Sequence, residues 1–131
     1  MLVIDASLAV EFALNTKRGV HATDMAFRSA AELHAPHLID VEVAHALRRF
    51  VLLREVEASV AHQALHDFEE LPLHRYPHAV FLHRIWELRN ALSAYDAAYV
   101  ALAEALHAPL YTCDARLSRS HGHRAEIRLI G

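Results

Sequence analysis

The sequence predicts an α/β sandwich with a short, mostly parallel central sheet flanked by helices. Short apolar runs alternate with longer helical patterns, and two of those runs lead directly into an aspartate. The composition, 54% hydrophobic and 22% charged, suits a packed globular core. At 131 residues a single domain over residues 1–131 is expected.

The elements follow in order. Leu2-Val3-Ile4 reads as a strand ending at Asp5, and Ala6 to Leu14 continues as a helix. Gly19 breaks the pattern, with a second helix expected from about Val20 to Leu33. His34-Ala35 reads as a short strand bounded by Pro36. Ile39 to Arg54 is helical, because Val43, Ala46, Leu47, Phe50 and Val51 recur at i, i+3, i+4, i+7 and i+8. Val60, Ala64, Leu65, Phe68 and Leu71 give the next helix a similar stripe, starting near Ser59. Leu73 to Tyr76, between two prolines, is a candidate strand, and His78 to Arg89 a helix carrying Phe81, Ile85 and Trp86. Tyr95 to Leu106 sets Tyr95, Ala98, Tyr99, Leu102 and Leu106 on one face. Pro109 to Thr112 reads as a strand ending near Asp114, and Ile127 to Ile130 closes the fold.

Bulk properties exclude several classes. A net charge of −3 argues against coating nucleic acid by general attraction, although arginines cluster at Arg48–Arg49 and at Arg116, Arg119 and Arg124. The single cysteine, Cys113, allows no internal disulfide and suits a reducing cytoplasm, where it reads as a small buried hydrophobe. Met1 to Ile4 runs straight into Asp5 without a basic leader, and no apolar run approaches the ~18 residues of a membrane helix. A soluble, cytoplasmic protein that makes no use of the membrane is expected.

In open α/β sheets, ligands bind beyond the carboxyl ends of the strands. Asp5 and Asp114 follow predicted strands, Asp96 sits in the first turn of a helix, and Glu42 precedes an apolar stripe. Taken singly, such acids are most often solvated charges or helix caps, and Asp40 and Glu104 are read that way. The four together are different, since each lies beside residues that look buried. If they converged without a cation they would repel one another. Mg²⁺ or Mn²⁺ resolves this, since both accept carboxylate and water, and phosphodiester hydrolysis is the reaction such a site suits best.

Four blocks carry a family resemblance. Val3-Ile4-Asp5-Ala6-Ser7 resembles the opening of PIN domains, and specifically of VapC toxins from bacterial toxin–antitoxin pairs. Pro36 to Leu47 is similar to their second acidic block, Ser93 to Glu104 to the third, and Thr112-Cys113-Asp114-Ala115-Arg116-Leu117 to the fourth. The blocks stand in family order from Val3 to Leu117. The resemblance implies a PIN-like three-layer sandwich and a divalent-metal-dependent endoribonuclease, the toxin of a type II pair. It also implies inhibition by a cognate VapB-like antitoxin, a toxin homodimer and a larger toxin–antitoxin complex. Carried over by position, Asp5, Asp96 and Asp114 would hold metal. Glu42 would complete the pocket or act through water, and Ser7 and Thr112 would supply supporting hydroxyls. His45 stands where family members often have Asn. Arg116 stands where some have a further acid, which argues against a fully occupied second metal site.

Other readings are weaker. His62 and His66 share a helix face, but Gln63-Ala64-Leu65 between them lacks the glutamate of a zinc-protease helix. His121-Gly122-His123 reads as loop. Asp5-Ala6-Ser7 lacks the second aspartate of a haloacid-dehalogenase phosphatase, and Lys17, the sole lysine, lies too early for a response-regulator receiver. Three scattered glycines disfavour a phosphate-binding glycine loop. Arg49, about 10 Å along its helix from Glu42, and Arg116 are candidates for contact with an RNA phosphate, with surface ion pairs as the alternative. A PIN-type nuclease that is not a toxin, or a catalytically weak PIN scaffold acting as a binding module, is the alternative function.

Overall fold

A computed structural model describes residues 1–28 and 32–131, with side chains described for 1–25 and 32–131. Five strands form one sheet: β1 (Leu2–Ile4), β2 (Leu33–Pro36), β3 (Leu73–Tyr76), β4 (Leu110–Thr112) and β5 (Ile127–Leu129). Their order is β3-β2-β1-β4-β5, and every pair is parallel. The helices are α1 (Ala6–Ala13), α2 (Lys17–Arg28), α3 (Ile39–Leu52), α4 (Ala58–Glu69), α5 (Leu82–Glu87), α6 (Ala94–Leu106) and α7 (Ala115–Ser118). A 3₁₀ turn, Ala79–Phe81, leads into α5.

The expected mostly parallel sheet is therefore fully parallel. Central strands β1 and β4 are buried at every residue, as continuous apolar runs covered on both faces must be. From β1 the chain steps outward to β2 and β3 on one side, then crosses back to β4 and β5 on the other. The strand order reverses between β1 and β4, and at such a point neighbouring connections part and open a crevice at the carboxyl ends.

Several expectations need correction. Gly19 lies inside α2 (described as Lys17–Arg28) rather than ahead of it, and Leu33, expected at the end of that helix, begins β2. The part of the expected helix over residues 29–31 lies outside the described residues. The glycine is needed because α2 crosses α1 closely: a Cβ on Gly19 would stand 2.2 Å from the Glu11 carbonyl oxygen. The expected His78–Arg89 helix divides into the 3₁₀ turn and a short α5, neither holding a buried residue. Trp86 is 67% exposed, so no buried face supports a longer helix there. In α4 the buried positions are Ala61, Ala64 and Phe68, while Val60 points outward.

Helix α6 is not a stripe but a core helix. Ala97 through Ala103 are all buried, while Tyr95, expected on the inner face, is exposed. A helix apolar on every side belongs in the middle of a fold. Two acids expected to be solvated instead tie elements together. Asp40 accepts two hydrogen bonds from Arg75 Nε, at 2.9 and 3.0 Å, joining α3 to β3. Glu104, with its side chain only 5% exposed, accepts from Arg84 Nε at 2.7 Å, Arg84 Nη2 at 2.9 Å and the Arg124 backbone N–H at 2.8 Å. That pairing holds its carboxyl below the usual range. Among the described residues, no helix is long and apolar enough to cross a membrane.

Two stability predictions follow from these contacts. Gly→Ala inside a helix normally helps by up to ~1 kcal/mol. Gly19→Ala should instead destabilise by about 1–3 kcal/mol in urea unfolding, because backbone must move. Glu104→Gln should cost about 1–3 kcal/mol at neutral pH. A carboxyl with a lowered folded pKa adds stability above its unfolded value of 4.5 and loses it as pH falls through the folded value. The variant should therefore show a shallower loss of stability than the parent in acid below that pH.

Candidate metal and catalytic site

Asp5 is the first residue past β1 and the N-cap of α1, its Oδ1 accepting from the Leu8 N–H at 3.0 Å. A short apolar strand entering a helix through an aspartate is what places this carboxylate at the sheet's edge. It is buried. Ser7 Oγ donates to Oδ1 at 2.6 Å, and Thr112 Oγ1 donates to Oδ2 at 2.5 Å. Thr112 is the last residue of β4, so this bond spans the β1–β4 crevice. Ser7 Oγ in turn accepts from the Cys113 N–H at 3.0 Å, and Thr112 Oγ1 from the Asp114 N–H at 2.9 Å. Both hydroxyls are thus directed at the Asp5 carboxylate.

Asp114 caps the single turn α7, its Oδ1 accepting from the N–H groups of Arg116 and Leu117 at 2.8 and 3.3 Å. This turn was not expected from the sequence. Asp96 lies in the first turn of α6, and its own N–H is capped by Ser93 Oγ at 3.1 Å. Glu42, in the first turn of α3, accepts a 2.7 Å hydrogen bond from the buried Tyr99 hydroxyl. Tyr99 is a site residue that periodicity hides, since it reads as one more apolar position. The usable signal was its hydroxyl, which in a wholly buried helix needs a partner.

The four acids form one electrostatic group. Burial raises the Asp5 carboxyl above its ordinary range, with Asp114 adding to the rise. Burial also raises Glu42, and Asp96 and Asp5 add to it. Arg116, exposed on α7, donates from Nη2 to Asp96 Oδ2 at 3.1 Å and to Asp114 Oδ2 at 3.4 Å. Its side chain therefore forms the surface ion pair that was the alternative to a phosphate contact. Arg49, in the last turn of α3, is exposed. So is His45.

The donor set fits a hard divalent cation, being oxygen-only and short of positive charge. Its shell is not closed, however. Among the described residues, no three His, Cys, Asp or Glu side chains already stand as a metal-ligand group. The carboxylates are engaged by other groups instead: hydroxyls hold Asp5, Tyr99 holds Glu42, and Arg116 spans Asp96 and Asp114. Remaining candidates for chemistry fall away. Burial pushes the Cys113 thiol up to about 11, too high for a nucleophile at neutral pH. His62 and His66 are exposed, His66 lying beside Glu70, while His123 braces its loop against Ser120.

Comparison with known proteins gives a consistent picture. The PIN domain family model matches residues 2–121. Ribonuclease VapC12 of Mycobacterium tuberculosis is 44% identical over 131 residues, covering 99% of each chain. Ribonuclease VapC9 of the same species is 44% identical over 130 residues, covering 99% of this chain and 98% of the relative. Among solved structures, PAE2754 from Pyrobaculum aerophilum superposes with a TM-score of 0.69 over 96% of this chain and 81% of that one, at 23% identity. At that identity the likeness speaks for the fold alone.

The charge arrangement makes a prediction about pH. A carboxyl whose folded pKa is raised favours the fold when protonated, and this contribution disappears as pH rises through the folded value. In cation-free buffer at pH ~8, Asp5→Asn should therefore melt at or above the parent, with the difference shrinking as pH falls toward ~4. A clearly lower melting temperature at pH ~8 would count against a carboxylate destabilised by burial and by neighbouring acids.

Proposed function

We infer this protein's activity from one premise: the chain belongs to the PIN-domain family. It acts as an endoribonuclease, the toxin component of a type II toxin–antitoxin pair, hydrolysing RNA phosphodiesters in the acidic pocket beside β1 and β4. One observation carries this reading. Four carboxylates from four separate elements interact at the sheet's carboxyl edge, in a chain nearly half identical along its length to proteins named ribonucleases.

The activity depends on Mg²⁺ or Mn²⁺, held by Asp5, Asp96 and Asp114, with Glu42 completing the pocket or acting through water. Such an ion supplies an activated water and offsets charge building on the phosphate. The chain's own residues do the remaining work. Ser7 and Thr112 fix the Asp5 rotamer, so its carboxylate needs no reorganisation. Tyr99 keeps Glu42 turned inward on α3. Exposed Arg49 guides an RNA phosphate along α3 toward the pocket, and Arg116 meets phosphate at its rim.

Partners follow from the same reading. A VapB-like antitoxin inhibits the enzyme. Support comes from an apolar groove of about 330 Å³ between α3 and α4, lined by Leu47, Val51, Leu52, Ala61 and Leu65 among others, which suits a partner's apolar segment. The toxin forms a homodimer that joins a larger complex with antitoxin, a reading supported by exposed Val80, Leu82 and Trp86 around α5. The lone, unreactive cysteine suits a cytoplasmic setting.

The test is cleavage of RNA by purified protein in Mg²⁺ or Mn²⁺. Cleavage should stop with EDTA and fall by about two orders of magnitude or more in Asp5→Asn and Asp96→Asn. Equal cleavage by parent and variants, or indifference to EDTA, would sink the proposal.

A further inference from the structure

Arg116 is the cation that the acidic site already carries. Its backbone is fixed by the capping of α7, where its N–H donates to Asp114 Oδ1 at 2.8 Å. Its side chain then folds back, and one nitrogen, Nη2, reaches Asp96 Oδ2 on α6 and Asp114 Oδ2 at the N-cap of α7. Among the described residues, neither Asp5 nor Glu42 has a comparable ion pair with arginine or lysine. Arg116 is 71% exposed on its side chain, whereas Asp96 is 20% and Asp114 34% exposed. The guanidinium is thus the most exposed of the three, and the Asp114 carboxylate is held in place by backbone N–H groups of α7. An exposed ion pair of this kind is weak, so it is readily exchanged.

We propose that Arg116 couples divalent-ion binding to nucleic-acid binding. This rests on the reading of the pocket as the ion site of a ribonuclease. Without nucleic acid, Arg116 occupies the two oxygens that an ion would need, and the ion binds weakly. A phosphodiester at the rim offers the guanidinium a better partner, because its planar fork matches two phosphate oxygens. Drawn to the phosphate, Arg116 releases Asp96 and Asp114 to the ion. By linkage the effect is reciprocal: the ion frees Arg116 for phosphate and so tightens nucleic-acid binding. The site is then disarmed by its own arginine until substrate arrives.

The experiment is direct Mn²⁺ binding, by calorimetry and by electron paramagnetic resonance of the free ion. The full chain is titrated as parent, Arg116→Ala and Arg116→Lys, each with and without a non-cleavable 2′-O-methyl RNA oligonucleotide. The oligonucleotide should tighten Mn²⁺ binding to the parent by about three- to ten-fold. Arg116→Ala should bind Mn²⁺ about three- to ten-fold tighter than the parent without oligonucleotide and gain little from adding it. Arg116→Lys, which keeps the charge without the fork, should lie between them. Circular dichroism checks that each variant keeps the parent fold. If Mn²⁺ binds the alanine variant no tighter than the parent, or the oligonucleotide tightens both equally, the coupling is overturned. In that case a parent that still cleaves RNA with metal leaves the ribonuclease reading standing. A parent that neither binds Mn²⁺ under any of these conditions nor cleaves RNA overturns both.

Discussion

The Asp5 carboxylate lies buried where β1 ends, with hydroxyls from Ser7 and Thr112 and the Leu8 N–H directed at its oxygens. A carboxylate in that position is expensive to desolvate, and burial raises its pKa accordingly. Three donors offset part of that cost. The same donors join β1, α1 and β4 at one point, so the charge and the fold's central seam are one feature. Loss of either hydroxyl would leave the carboxylate less well held and the crevice less well closed.

Around that point the topology does the gathering. The strand order reverses between β1 and β4, so the loops after these strands diverge and leave room for side chains from α3 and α6. Glu42 and Asp96 enter from the first turns of those helices, where the helix dipole favours a carboxylate. Asp114 caps α7 and so is fixed by the turn it starts. Each acid is positioned by a local rule, and their meeting is a consequence of sheet order. Burial, with a smaller contribution from the neighbouring acids, raises the carboxyl pKa values at Asp5 and Glu42, and an arginine lies over the other two.

Much of this was legible in the sequence because it depends on neighbours in the chain. The strands at Leu2–Ile4, Leu73–Tyr76 and Leu110–Thr112, and the helix from Ile39, follow from apolar periodicity and proline boundaries. The acids at strand ends and helix starts were readable for the same reason. What escaped depends on contacts between distant residues. Gly19 looks like a helix breaker until Glu11 of the neighbouring helix is known to press on it. Glu104 looks solvated until Arg84, 20 residues earlier, closes over it. Tyr99 and Glu42 are 57 residues apart, and nothing in the periodicity of either helix announces their bond. The all-round burial of α6 is set by the elements around it, which a single-helix pattern does not encode.

The most direct test of the central claim is a crystal of the protein soaked in Mn²⁺ and read by anomalous scattering. The account predicts a peak at ligand distance from the carboxylates of Asp5 and of Asp96 or Asp114, with the Arg116 guanidinium withdrawn from both aspartates. A peak elsewhere, or an empty pocket with Arg116 still bridging Asp96 and Asp114 at saturating Mn²⁺, would contradict it.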